Sequence, residues 1–139
     1  MAKPGVTYLD PPSAPPVQGM YSHVARMAPG EIAFIAGQVA IDGKGNLVGA
    51  GDLGAQVKQV FANLGGILKD LGSDFEQVVQ FTTYLTSADS IPAWMAARGE
   101  IFPKLFPAGK YPPNTLLVVN RLVRPELLLE IEAIARVPG

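Results

Sequence analysis

The sequence predicts a single α+β domain, one β-sheet covered on one face by two helices, and three observations carry that expectation. Strand-like segments come in pairs at both ends of the chain, in the order ββ(β)αβαββ. A stretch between them has the period of an amphipathic helix. Of the 139 residues 48% are apolar and 17% charged, which suffices for one core and leaves little room for two. Residues 1–18 are a Pro-rich N-terminal segment with Pro4, Pro11, Pro12, Pro15 and Pro16, expected as turns and a trimmed tail ahead of a domain at 19–139.

Tyr21–Met27 alternates in part, with Tyr21, His23, Ala25 and Met27 on one face, and Pro29-Gly30 then supplies a turn. A first strand and hairpin follow from that pattern. Glu31–Ile41 is rich in β-branched and aromatic residues and ends in Asp42-Gly43-Lys44-Gly45-Asn46, a loop tolerant of positive φ, before Leu47-Val48. From Leu53 to Leu71 the apolar positions Leu53, Val57, Val60, Phe61, Leu64, Ile67, Leu68 and Leu71 recur at helical spacing. Asp52 is placed to cap that helix and Gly72 to end it, while the interior pair Gly65-Gly66 predicts close approach of a neighbouring backbone. Phe75–Leu85 has strand composition. A second helix is expected from Ser90, with Pro92 in its first turn, to Phe102, where Pro103 stops it. Thr115–Leu122 and Leu127–Val137 read as two strands of a hairpin turning at Val123-Arg124-Pro125-Glu126. Leu116, Val118, Leu128 and Ile134 do not make a solvent-facing set, so the sheet face away from the helices predicts self-association.

Composition excludes several chemistries. Eleven Lys/Arg against twelve Asp/Glu leave a net charge of −1, with no positive field for sequence-independent nucleic-acid binding. Without cysteine there is no disulfide, thiol nucleophile or thiolate metal site, and a single His cannot build a multi-histidine zinc centre within one chain. No metal or cofactor is expected. No apolar run is long enough to span a membrane and none near the start resembles a secretion signal, so the expected location is cytoplasmic.

Nucleophile elbows, phosphate loops, dinucleotide fingerprints and zincin motifs are also lacking, which leaves acid/base chemistry by carboxylates. Glu130 and Glu132 lie two apart in a strand and share one face at roughly 6.5 Å. They are either functional or the polar side of a half-exposed strand. His23 reads as a surface or hydrogen-bonding residue and stays outside the catalytic set. Tyr21 could orient a ligand or simply pack, Gln38 could line a pocket, and Pro112-Pro113 would fix Asn114 at a sheet edge.

Taken together, Gly19–His23, Ile35-Ala36-Gly37-Gln38-Val39, Gln56 through Asn63-Leu64, Val78–Leu85 and Leu129-Glu130-Ile131-Glu132-Ala133-Ile134-Ala135 resemble the Rid family. Also called the YjgF or L-PSP endoribonuclease family, it comprises imine and enamine deaminases and their relatives. The resemblance runs from Gly19 to Arg136 and is most specific in the closing strand. It implies a chorismate-mutase-like fold of the bacillus type, a homotrimer around a central β-barrel, and ligand clefts between subunits. It further implies that Glu130 positions the attacking water as the catalytic residue. Tyr21, Ala36, Gly37, Asn114 and Thr115 would then line the substrate site.

Active family members carry an Arg just before the fifth main strand, in a Pro-Ala-Arg-Ser/Thr-type segment that holds a substrate carboxylate. Here that segment reads Pro112-Pro113-Asn114-Thr115, and the usual Ser before Gly-Gln is Ala36. A second-helix position often polar in the family is Ala96. Asn114 cannot form the bidentate charged pair. The expected activity is therefore hydrolysis of reactive imines or enamines over an altered substrate range. A non-catalytic trimeric module binding a small metabolite is the alternative, and RNA cleavage is disfavoured by the charge.

Overall fold

A computed structural model of the chain describes residues 5–138. Its strands are β1 (Val6–Leu9), β2 (Val24–Met27), β3 (Glu31–Gln38), β4 (Val78–Leu85), β5 (Asn114–Val118) and β6 (Leu129–Val137). Its helices are α1 (Leu53–Asp70) and α2 (Ile91–Leu105). Strands β1 and β2 form an antiparallel ribbon, and the other four make a mixed sheet in the order β3-β6-β4-β5, with β5 parallel to β4. Both helices pack on one face of that sheet, as the sequence pattern predicts.

Asp52 accepts a hydrogen bond from the Ala55 N–H and so caps α1, and Gly72 follows the helix at φ 73°. From α1, Val57, Val60, Phe61, Leu64 and Leu68 pack with Trp94 and Phe102 of α2 onto Phe81, Leu85, Leu129 and Ile131 of the sheet. Phe61 sits at the centre: it stacks on Trp94 and meets Phe81 and Phe102 edge-on. Gln56, fully buried, stitches two loops to this core by donating to the Gly49 and Glu126 carbonyls and accepting from the Leu128 N–H.

Several expectations are corrected. Neither predicted hairpin forms: β3 pairs with β6 and not with β2, and β5 lies beyond β4, so it never touches β6. In β6, Leu129, Ile131 and Ala135 are fully buried and both edges are taken by β3 and β4. Strand β5 is reached from β4 through α2, and that crossover sets β5 parallel to β4. Regular pairing ends at Val118, well short of Leu122. The stretch expected as a tail contributes β1, whose Val6 and Tyr8 are buried, with the Tyr8 hydroxyl donating to the Val78 carbonyl at 2.6 Å. The first expected strand starts only at Val24, because Tyr21 N–H turns back onto the Gly19 carbonyl and His23 N–H onto Asp10. No backbone approaches the helix glycines: a Cβ on Gly65 would meet the Phe75 ring at 3.1 Å, and one on Gly66 would meet nothing within 4 Å. Helix α2 runs past Pro103 to Leu105, since only its last turn forfeits a hydrogen bond and buried Phe102 and Phe106 hold that turn, with the Phe106 N–H on the Phe102 carbonyl.

Candidate functional site

Alternation decides what each strand offers to the uncovered face. On β6 the residues between the buried ones are Glu130, Glu132 and Ile134, and the facing residues of β4 are Gln80, Thr82 and Tyr84. Strand β3 adds Ile32, Phe34 and Ala36, and β5 adds Thr115 and Leu117. Phe34 is 77% exposed, Ile32 47% and Leu117 40%. That is too much apolar surface for a face that meets only water. A shallow cavity of about 280 Å³ lies on this face, with Phe34, Ala36, Thr82 and Glu132 in its walls.

Glu130 stands at the end of this face where β3 bulges. Between Ile35 and Gln38 the register with β6 shifts, and the bulge brings Gly37 against the carboxylate. A Cβ on Gly37 would overlap that carboxylate and come within 2.7 Å of Glu130 Cγ. Glycine is what leaves room for the acid. Burial, and secondarily the negative charge of Glu132, raise the Glu130 pKa above the usual carboxylate range. Tyr84, opposite Glu130 in the strand register, donates its hydroxyl to Glu132 Oε1 at 2.9 Å. Accepting the Tyr84 proton holds Glu132 in place and raises the phenol pKa.

Of the expected site residues, the fold therefore brings Ala36, Gly37 and Glu130 together. Thr115 shares their face but lies on the edge strand, beside Thr82. Asn114 begins that strand as the Pro-Pro segment suggested, yet its side chain turns to the helix side, where its Oδ1 accepts from the buried Thr83 hydroxyl at 3.0 Å. Tyr21 lies apart, in a depression with Gly19, Ser22 and Tyr111, and its hydroxyl accepts from the Gln18 N–H. His23 is outside the sheet, with Nε2 on the Pro15 carbonyl. The Tyr84–Glu132 pair was not evident in the sequence. A strand tyrosine with the carboxylate two strand-steps from Glu130 could have been found only once β4 and β6 were known to be neighbours. Among the described residues no group of three His, Asp or Glu side chains converges as a metal site, and no helix is long and apolar enough to cross a membrane.

The sequence profile of the Endoribonuclease L-PSP family matches residues 11–137. The chain belongs to this family. Its Rid or YjgF relatives include a solved structure from Yersinia pestis, a protein of unknown function of the conserved Rid family called YyfB. That protein is 35% identical, with 95% of this chain and 98% of that one superposed at a TM-score of 0.84. The YjgF/YER057c/UK114 family member Rv2704 from Mycobacterium tuberculosis is 28% identical, over 84% of this chain and 86% of that one, at a TM-score of 0.59. Among curated proteins, a RutC family protein of Pyrococcus abyssi is 33% identical over 122 residues, 88% of this chain and 90% of its own. One of Synechocystis is 32% identical over 126 residues, 90% and 92% of the two chains. Membership of the Rid family and its α+β fold are thus shown by the profile match and by the likeness to solved Rid structures. The profile match begins after β1, the strand that carries the buried Val6 and Tyr8.

Proposed function

We propose that this Rid-family chain hydrolyses reactive imines and enamines in the cytoplasm, as a homotrimer with its ligand clefts between subunits. The observation that carries the reading is Glu130, a half-buried carboxylate with a raised pKa, standing over a glycine that leaves space beside it. A carboxylate whose proton affinity lies closer to the working pH is the better general base. In the reaction, the imine enters protonated on nitrogen by solvent, and Glu130 accepts a proton from a water whose oxygen bonds to the imine carbon, which gives a neutral carbinolamine. Glu130 then passes that proton to the carbinolamine nitrogen, and the C–N bond breaks with its electron pair leaving on ammonia. The protonated carbonyl that remains releases its hydroxyl proton to solvent, which balances the proton the imine brought, and Glu130 ends as the carboxylate it began as.

Tyr21, Ala36, Gly37, Asn114 and Thr115 line the cleft in this reading. Because Tyr21 and Asn114 lie away from Glu130 within one subunit, a cleft containing all of them has to draw on two subunits. The exposed Ile32, Phe34 and Leu117 supply the apolar surface for such an assembly. Asn114, neutral and engaged with Thr83, gives no charged clamp, and this favours substrates held by amide hydrogen bonds. The same observation favours a second reading, a trimeric metabolite-binding module without turnover. Ammonia release from a panel of freshly generated imines, with and without a carboxylate, separates the two. The hydrolase reading expects release above the buffer rate, with uncharged imines served at least as well as charged ones. A metabolite that raises the melting temperature while no imine yields ammonia would replace it with the binding module.

A further inference from the structure

Among the described residues, Arg98, midway along α2, is a buried cation with no counter-charge. Only 6% of its surface is exposed, and the one ion pair among the described residues joins Arg124 to Glu126 elsewhere. Arg98 Nη2 donates to Met95 Sδ, a weak acceptor, and the guanidinium lies 5.9 Å from the Trp94 ring centre. Among the described residues Arg98 Nε has no partner, nor has the indole Nε1 of Trp94, which is completely buried. Arginine is rarely sunk this far unpaired, and each orphaned donor costs stability. Trp94 and Arg98 are one helical turn apart, so two unsatisfied N–H donors share a face of α2.

We propose that Arg98, with Trp94 beside it, is a binding site for a small carboxylate anion that enters beneath the Gly19–Ser22 segment. A depression of about 230 Å³ opens there, with Gly19, Tyr21, Tyr111 and Lys110 in its walls. Gly19, in the wall of this depression, packs directly against the guanidinium, since a Cβ on it would lie 2.9 Å from Arg98 Nη2. Lys110 adds positive charge at the rim, and the Asp10 carboxylate, also in the wall, is turned to the His23 N–H. A planar guanidinium matches the two oxygens of a carboxylate, and the deep position of Arg98 favours a planar monoanion over a fully hydrated phosphate. Burial also lowers the guanidinium pKa, as expected of a cation awaiting a partner. Within one subunit this site lies apart from Glu130; it shares Tyr21 with the proposed cleft, but anion binding there is read without turnover.

The test is thermal unfolding of the full chain at constant ionic strength with propionate, acetamide, phosphate or chloride, for the wild type, Arg98→Met, Arg98→Lys and Gly19→Ala. At propionate concentrations roughly tenfold above its Kd, the wild type should gain about 2–5 °C over chloride. Acetamide should give no gain and phosphate a smaller one. Arg98→Met should abolish the gain and Arg98→Lys should reduce it, because the lysine keeps the charge without the fork. Gly19→Ala should abolish it with Arg98 intact. If Arg98→Met does not fold, Gly19→Ala decides alone. No gain in the wild type, an equal gain in Gly19→Ala, or equal gains from propionate and acetamide would each overturn the site, leaving buried water on these donors. A phosphate gain matching propionate would overturn the carboxylate assignment.

Discussion

Replacing Gly37 with Ala displaces the proposed catalytic base without altering its carboxylate. The added methyl would start 2.6 Å from Glu130 Cδ and 2.7 Å from Cγ, whereas unstrained carbons sit about 3.5–4.0 Å apart. The Glu130 carboxylate must therefore move by about 1 Å, by rotating away from the β3 bulge or by pushing that bulge outward. Overpacking of this kind costs about 1–3 kcal/mol in a sealed core. Glu130 is only half-buried and can swing toward solvent, so about 1 kcal/mol is expected. For catalysis, a 1 Å displacement of a positioned group is worth up to about 10²-fold. Urea unfolding and ammonia release on the same preparation give the two numbers. Turnover within twofold of wild type, at any change in stability, would refute the claim that Gly37 makes the space in which Glu130 works.

Gly66→Ala makes the same chemical change in open space within α1, and chemical denaturation should show a gain of about 0.5–1 kcal/mol from helix propensity alone. Tyr8→Phe removes the hydroxyl on the Val78 carbonyl and should cost about 1–2 kcal/mol by the same measurement, a loss that a disposable tail would not show. Glu130→Gln should change the pH dependence of stability. The folded-state pKa is raised above the usual 4.5, so the folded chain binds the proton more tightly. Stability from this group is greatest below the unfolded value and declines as pH rises through the window up to the folded value. The variant should lack that decline and match or exceed the wild type at neutral pH.

Where local pattern determines structure, the sequence was enough. The period from Leu53 to Leu71, the Asp52 cap and Gly72 specified α1, and the run Leu127–Val137 specified β6, which begins two residues later at Leu129, with its two carboxylates on one face. What escaped was set at long range. Nothing local in Thr115–Leu122 says that it pairs with β4 in parallel and not with the strand that follows it. The prolines around Val6–Leu9 concealed a strand whose place is fixed by Tyr8 reaching Val78. The candidate site divides the same way. Glu130, Ala36 and Gly37 were identifiable from motifs and come together, but the turn of Asn114 toward Thr83 and the Tyr84 hydrogen bond to Glu132 depend on which strands are neighbours. The orphaned donors of Arg98 and Trp94 could be recognised only from burial.

The central claim, that Glu130 is the base of an imine hydrolase, is tested most directly by ammonia release from one freshly generated imine by wild type and Glu130→Gln, with sedimentation run on both. The account predicts assemblies of three 14.7 kDa chains for both proteins, equal melting temperatures or a slightly higher one for the variant, and turnover lower by about 10²–10⁴-fold in Glu130→Gln. Equal ammonia release by the two folded proteins would contradict it.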